Sequence, residues 1–386
     1  MTPREHFFRV LDGEPVDRAP FFPDITTWYQ ATRLGIGTEQ PYQPGQFIPD
    51  DSPIHAGAGR LEGRLARFTF TDFYKEFGWG LPAHAYDWFE ERYTGGVEKL
   101  VISEASQRTI SWRTPRGDLV RNYRLDAEGS WAEYGHMVQQ LGQLDIVRYI
   151  VERTEYIPHF ERVERFLRET EAFGVSDLVL YRSPFGKLIH EYLGFEAVAY
   201  ALFDHEPQVL DFLAFHEHYD LKLTELAASG PGSIAILSDH ADENLISPPW
   251  YQRFCIPYYR KACDLLHRAG KRVSTHLDGN FKGFLPFIKE TGFDLLDGCT
   301  PAPMFNYEVE ELAAALSGSR MRCYCGVPAG LLTIGLPTGQ ITAFGERIVR
   351  AFGGRVIVNV GDILPPTGDI EQVIALGERV RAAPAT

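Results

Sequence analysis

The chain has 386 residues, of which 44% are hydrophobic and 23% are charged, an ordinary composition for a soluble globular protein. Its formal net charge is −14, and no stretch gathers Lys and Arg into a basic stripe, which argues against nucleic acid or an anionic membrane as a partner. No apolar run approaches the roughly 20 residues needed to span a bilayer, and the N-terminus lacks an apolar signal core, so we expect a cytoplasmic protein. The five cysteines are odd in number, which favours reduced thiols over a disulfide framework.

The N-terminal part combines short regular elements with a long irregular stretch. Thr2 and Pro3 carry the signals of a helix start, and the short helix that follows is predicted to end at Asp12. The apolar run that closes on Asp24 is a candidate first barrel strand, which makes this carboxylate a candidate substrate-binding residue. Residues 34–67 are rich in Gly, Pro and Gln and are predicted to form loops and short helical turns.

Residues 96–131 have a different pattern. They contain short runs rich in β-branched and aromatic residues, separated by good turn chemistry, which predicts a small antiparallel β-meander inserted before the main barrel. A structural flap or a homodimer contact is the favoured role, because insertions vary freely on rigid scaffolds. A wall of the substrate cleft is the alternative.

From about residue 145 onward, apolar runs alternate with amphipathic helices, and two of the predicted helices cover residues 157–173 and 281–290. The predicted strands are 177–181, 234–237, 272–275, 294–297, 322–325 and 355–359. Strands separated by helices indicate a parallel sheet, and the absence of a Gly-rich nucleotide-binding turn favours a closed (β/α)8 TIM barrel over a doubly wound sheet. We therefore predict one barrel domain over residues 1–386, with an N-terminal helical and loop segment.

Three potential zinc ligands occur at wide spacing around the unit from 238 to 280. His240 is followed after fourteen residues by Cys255, and His276 follows after twenty more. Imidazole and thiolate are good zinc ligands, and three protein ligands leave one position for substrate. Pro257 would kink its helix and swing Cys255 toward the barrel mouth. The plainer alternatives are a solvated loop histidine at position 240 and a buried, inert thiol at position 255.

Other polar residues at predicted strand ends complete the set of candidates. Asp278 and Asp362 would orient His276 or carry protons, although each could instead cap a loop. Arg182 would bind an anionic substrate group or form a salt bridge at the rim. The remaining candidates for substrate binding are Asp239, Asn280 and Asn359.

Five stretches, in order along nearly the whole chain, carry a family resemblance. They read TPREHFFRVLDGEPVDRAPFFPD, ISPPWYQRFCIPYYRK, GKRVSTHLDGN, GFDLLDGCTPAP and VIVNVGDILPPTGDIEQV. Together they resemble the uroporphyrinogen decarboxylase superfamily, and within it the cobalamin-dependent methyltransferases and O-demethylases. The resemblance implies a (β/α)8 barrel with its site at the carboxyl ends of the strands.

Departures from the family pattern narrow the expected activity. The decarboxylases carry an Arg-Gln-Ala-Gly-Arg signature for substrate carboxylates, whereas the matching stretch here, 24–32, has no cation. Thiol-activating members bind zinc with a His-x-Cys pair and a distant Cys. Those positions become His276, Asp278 and Asp362, so both sulfurs are replaced by carboxylates. O-demethylase members use two carboxylates and a histidine, and the likeness places His240, Cys255 and His276 there.

The resemblance implies a zinc-dependent methyltransferase of the O-demethylase type, which passes a methyl group from a small methylated substrate to a corrinoid protein. The cobalamin would be on that partner, because the chain lacks an Asp-x-His-x-x-Gly motif. One alternative is a cobalamin-independent decarboxylase, lyase or hydrolase. The other is a non-catalytic binding protein, with a barrel mouth blocked by Trp28, Tyr29 or Trp250.

Overall fold

The structure, a computed structural model, describes residues 1–57, 59 and 61–385. Its strands are β1 (Leu81–Ala85), β2 (Phe89–Tyr93), β3 (Glu98–Glu104), β4 (Gln107–Arg113), β5 (Leu119–Leu125), β6 (Trp131–Tyr134), β7 (Thr154–Pro158), β8 (Gly174–Leu180), β9 (Ile234–Leu237), β10 (Arg272–His276), β11 (Leu295–Cys299), β12 (Arg322–Gly326) and β13 (Val356–Asn359). Seven of them form one parallel sheet in the order β1-β8-β9-β10-β11-β12-β13.

Helices follow most of these strands. The α-helices are α1 (Pro3–Leu11), α2 (Thr26–Leu34), α3 (Phe70–Phe77), α4 (Leu144–Glu152), α5 (Phe160–Glu169), α6 (Pro184–Lys187), α7 (Phe195–Asp204), α8 (Glu206–Ser229), α9 (Pro248–Trp250), α10 (Ile256–Arg268), α11 (Val309–Leu316), α12 (Thr338–Phe352) and α13 (Ile370–Ala382). Two π-helical segments, Leu188–Tyr192 and Tyr251–Cys255, continue α6 and α9. No helix among the described residues is long and apolar enough to cross a membrane.

An extended segment at residues 20–23 closes the sheet into a barrel. On one side the Phe22 amide donates to the Val358 carbonyl at 2.9 Å, and the Val358 amide donates to Pro20 at 2.9 Å. On the other side the Gly80 amide donates to the Phe21 carbonyl at 3.0 Å, directly before β1. The segment therefore lies between β13 and β1 as an eighth strand position. The (β/α)8 barrel predicted from the sequence is confirmed.

Helix α1 fills the amino-terminal end of the barrel. Phe7, Val10 and Leu11 of this helix pack in one buried cluster with inward-facing residues of the barrel, among them Phe22 and Tyr324. The helix starts at a capping box in which the Thr2 hydroxyl accepts from the Glu5 amide and the Glu5 carboxylate accepts from the Thr2 amide. Because this end is filled, access to the barrel interior is from the carboxyl ends of the strands.

The predicted meander is an antiparallel sheet of four strands, β3 to β6. Within the meander, the side chains of Trp112 and Leu119 are buried against the core, whereas those of Val101 and Ile102 are exposed. Meander residues line a side cavity of about 300 Å³, which adjoins the barrel mouth through Tyr181 and Glu191. Strand β2 pairs separately with β7.

Three local predictions were wrong. Strand β1 was missed, because Leu81-Pro-Ala-His-Ala has no β-branched residues and contains a proline, which is uncommon inside strands. The helix expected from Ile157 starts only at Phe160, since β7 continues to Pro158. The helix expected over 281–290 is two 3₁₀ turns, because Gly283 and Pro286 interrupt helical hydrogen bonding.

Candidate active site

A cavity of about 430 Å³ opens at the carboxyl ends of the barrel strands. Its titratable lining residues are Asp24, His84, Tyr86, Tyr181, Arg182, Glu191, His240, His276, Asp297, Tyr324 and Asp362. A larger, more open groove of about 1190 Å³ lies beside α1 at the opposite end. Barrel enzymes place their chemistry at the carboxyl ends of the strands, so the mouth cavity is the candidate active site.

Two histidines and one carboxylate meet at the edge of this cavity. One potential ligand atom from each of His240, His276 and Asp278 lies within 4.8 Å of the other two. The His240 and His276 rings are 4.7 Å apart between centroids, and His240 Nδ1 is 4.0 Å from Asp278 Oδ2. Two imidazoles and a carboxylate suit zinc, and a three-residue set leaves a fourth position free for substrate. The donor set therefore fits a catalytic zinc ion.

Carboxylates flank both nitrogens of His276. Its Nδ1 is 3.0 Å from Asp297 Oδ2, and its Nε2 is 3.4 Å from Asp362 Oδ1. With Nδ1–H donated to Asp297, the lone pair of Nε2 is the one available to a metal. Asp297 thus occupies the place of the carboxylate that orients a zinc-bound histidine in many zinc proteins.

The two histidines have opposite pKa shifts. Burial favours neutral His276, but the charges of Asp362 and Asp297 outweigh burial and raise the pKa of His276 to about 9. Burial, together with the charges of His276 and Arg182, lowers the pKa of His240 to about 2. His240 is therefore neutral and ready to bind a metal, whereas zinc must displace a proton from His276.

Carboxylates around the cavity are crowded. Burial, followed by the charge of Asp362, raises the pKa of Asp278 to about 6. Burial also raises the pKa of Asp362, and it raises the pKa of Asp24 to about 6 against the hydrogen bonds from Thr26. These carboxylates resist being ionised at the same time. A divalent cation bound among them would stabilise their ionised forms.

Backbone conformation also singles out this site. Among the described residues other than glycine, only His240 and Asp362 have positive φ, at 47° and 64°. The left-handed region costs of order 1–3 kcal/mol for such residues, and the cost is usually found where a side chain must be aimed at a functional site. Both side chains line the cavity.

Cys255 does not join the ligand group that the sequence predicted for it. No group of three or more potential ligand atoms within 4.8 Å, in the described part of the chain, includes Cys255. Its sulfur is fully buried, 4.0 Å from the Ser183 hydroxyl. The π-helical segment sets this orientation, and Pro257 only begins the next helix, so the expected kink does not turn Cys255 outward. Asp278 is the third member of the group of potential ligands.

The other candidates divide into two groups. Asp24, Arg182, Asn359 and Asp362 line the cavity. Asp239 and Asn280 do not. Asp239 is fully buried and accepts hydrogen bonds from the Ser183 amide and the Tyr259 hydroxyl. The Asn280 amide groups bind Asp242, so both residues hold loops together near the site.

Among the cavity residues that the sequence analysis did not name, Asp297 and His84 are the two that bear on His276. Asp297 ends a predicted strand, and the same position at a strand end drew attention to Asp24. His84 lies on β1, the strand that was missed. Burial opposes its charge, but Asp177, with Asp297 and Asp24, raises the pKa of His84 to about 10.

Gly298 gives a direct test of how His276 is held. A Cβ added at Gly298 would lie 2.7 Å from His276 Cε1, and its φ of 72° disfavours any other residue. We expect Gly298→Ala to push the imidazole away from its partners and to weaken zinc binding about 10-fold or more, as loss of an orienting contact does. Gly318→Ala, also at φ 72° but with open space around its Cβ, is the matched control. Equal zinc affinity in both variants would contradict the expectation.

Comparison with known proteins finds a family model that matches part of the chain. The sequence model of the uroporphyrinogen decarboxylase (URO-D) family matches residues 221–383, which include β9 to β13 and all three proposed ligands. The match confirms the predicted resemblance to the uroporphyrinogen decarboxylase superfamily over this part of the chain.

Two relatives indicate the branch. Methylcobamide:CoM methyltransferase MtbA of Methanosarcina mazei is 24% identical over 300 residues, which cover 76% of this chain and 75% of that protein. A solved structure of a methyltransferase from Methanosarcina mazei superposes with a TM-score of 0.61 at 14% identity, over 98% of each chain. The structural likeness shows the shared fold. Taken with the sequence matches, it confirms the predicted resemblance to the methyltransferase branch.

Proposed function

We propose that the protein is a zinc-containing methyltransferase of the O-demethylase type, which transfers a methyl group from a small methylated substrate to a corrinoid protein. The observation that carries the proposal is the meeting of His240, His276 and Asp278 at the open end of the barrel. Its relation to methyltransferases of the same superfamily supports the reaction class. A cytoplasmic location is part of the proposal.

The residues have distinct proposed roles. His240, His276 and Asp278 would hold the zinc ion, and Asp297 would orient His276. Zinc bound there supplies a Lewis acid that withdraws charge from the heteroatom carrying the methyl group. The bonding electron pair stays on that heteroatom, and the methyl group bonds to an electron pair of the acceptor. Asp362, beside His276 Nε2, is placed to carry the proton that leaves when zinc binds.

The cavity favours a small substrate with few negative charges. Its volume of about 430 Å³ holds a small molecule, and Arg182 is the one Lys or Arg among its described lining residues. A substrate with many carboxylates needs several cations, so tetrapyrrole decarboxylation is the weaker alternative. The bulky residues expected to block a non-catalytic barrel do not do so, since Trp28 and Tyr29 are buried in the core and Trp250 lies outside the cavity lining.

The proposal is tested by metal content and methyl transfer together. Protein purified without chelator should contain about one zinc per chain, as a three-ligand catalytic site requires. Chelator treatment should abolish methyl transfer to cob(I)alamin from a panel of methyl donors such as 2-methoxyphenol, dimethyl sulfide and trimethylamine, and added zinc should restore it. Unchanged transfer by metal-free protein would refute the zinc mechanism. A zinc-loaded protein inactive with every donor and with a corrinoid protein as acceptor would refute the methyltransferase.

A further inference from the structure

His84 lies within the mouth cavity at the end of β1, away from the metal ligands themselves. Its Nδ1 is 3.0 Å from each carboxylate oxygen of Asp177, the residue opposite it on β8. Its Nε2 is 3.9 Å from Asp297 Oδ2. The imidazole therefore bridges two carboxylates that project from different strands.

The oxygen that faces His84 is the one that binds His276. Asp297 Oδ2 is 3.0 Å from His276 Nδ1 and 3.9 Å from His84 Nε2. Two imidazoles thus approach one carboxylate oxygen from two sides. Asp297 is 5% exposed, so its carboxylate is largely shielded from bulk water. The charge of a cationic imidazole at this distance favours the ionised form of the Asp297 carboxylate.

The surroundings hold His84 in place. Its backbone amide donates to the Gly45 carbonyl at 2.8 Å, so the N-terminal loop region anchors the end of β1. Gly45 has φ 71°, and a Cβ added there would lie 2.3 Å from His84 Cδ2. Only glycine allows the loop to pack this closely on the ring. The loop of residues 34–67, whose role was not evident from sequence, thus helps to fix one wall of the site.

We propose that His84 is a positioning residue for zinc binding, which acts on the ligand His276 through Asp297. The proposal rests on the proposed zinc site and extends it to a strand outside the matched family region. Asp177 holds His84 by hydrogen bonds, His84 attracts the Asp297 oxygen across 3.9 Å, and that oxygen holds the ring of His276 by a hydrogen bond. The result is a His276 Nε2 aimed at the metal position before zinc arrives.

The test measures zinc affinity by competition with a chromophoric chelator. We expect His84→Gln to weaken zinc binding about 10- to 100-fold, the range found when groups behind a metal ligand are removed. The matched control is His267→Gln, because His267 also pairs with a buried carboxylate, at 2.6 Å from Asp294, with a side chain 23% exposed against 19% for His84. His267 precedes β10 at the other end of the barrel. The control should keep wild-type affinity.

Two further measurements separate positioning from general stability. The Tm of the metal-free proteins reports structural damage, and zinc affinity is measured where every variant is folded. In a double-mutant cycle, His84→Gln should lower zinc affinity much less in an Asp297→Asn background than in the wild type, because His84 acts on His276 through Asp297. An unchanged zinc affinity in His84→Gln, or fully additive losses, would overturn the proposal. A wild-type protein that binds no zinc would instead refute the proposed metal site.

Discussion

A His276→Ala variant is expected to lose its zinc and to reduce methyl transfer on the order of 10³-fold or more. His276 supplies one of the three ligand atoms, and its ring lies between Asp297 and Asp362. Loss of a metal that stabilises the leaving group removes several kcal/mol of transition-state stabilisation, and each 1.36 kcal/mol is tenfold in rate. Zinc content by elemental analysis and transfer rate on the same preparation measure the two effects.

The variant must be separated from one that merely unfolds. Removing the ring leaves Asp297 buried without its main partner, so a lower Tm is expected in the metal-free form. His267→Ala is the control, since it removes a ring paired with Asp294 at the opposite end of the barrel. It should retain both zinc and activity. Transfer by His276→Ala at a rate near that of the control would rule out the proposed zinc centre.

The sequence predicted the barrel strands that are buried on both sides of the sheet. Strands β9 and β13 are continuous apolar runs, and such runs are characteristic of parallel sheets covered by helices. Strand β1 carries Pro82 and His84 in place of that signal and owes its existence to pairing with β8. Because the strand was missed, the analysis of strand ends could not reach His84.

The same reasoning from strand ends selected the candidate site residues, and the structure brings some of them together and not others. His276 ends β10 and Asp362 follows β13, and parallel strands bring their carboxyl ends to one face, so the proximity of the two residues follows from the topology. Cys255 is on a helical segment, where the direction of a side chain depends on the rotation of the helix. A π turn contains one more residue than an α turn, and this extra residue changes the direction of the side chains that follow. The amino-acid pattern at Tyr251–Cys255 gives no sign of the π turn.

The choice between Asp278 and Cys255 as the third ligand can be made with one pair of variants. Asp278→Asn keeps the size of the side chain but exchanges the carboxylate for a much weaker zinc ligand, and we expect zinc affinity to fall on the order of 100-fold or more. Cys255→Ser keeps the shape of a buried side chain that lies beside Ser183. We expect it to retain zinc and to lose about 1 kcal/mol of stability, an ordinary cost for a core substitution.

This pair of variants is decisive because the two ligand sets predict opposite patterns of change in zinc affinity. If the ligands are those that meet at the barrel mouth, zinc affinity falls in Asp278→Asn and holds in Cys255→Ser. If Cys255→Ser loses zinc and Asp278→Asn keeps it, the ligand set inferred from sequence spacing is the correct one. The π-helical segment would then have to turn when the metal binds. Cobalt(II) substitution gives an independent measurement, because thiolate ligation adds a charge-transfer absorption that nitrogen and oxygen ligands lack. The spectrum of the wild-type cobalt form should show no thiolate band.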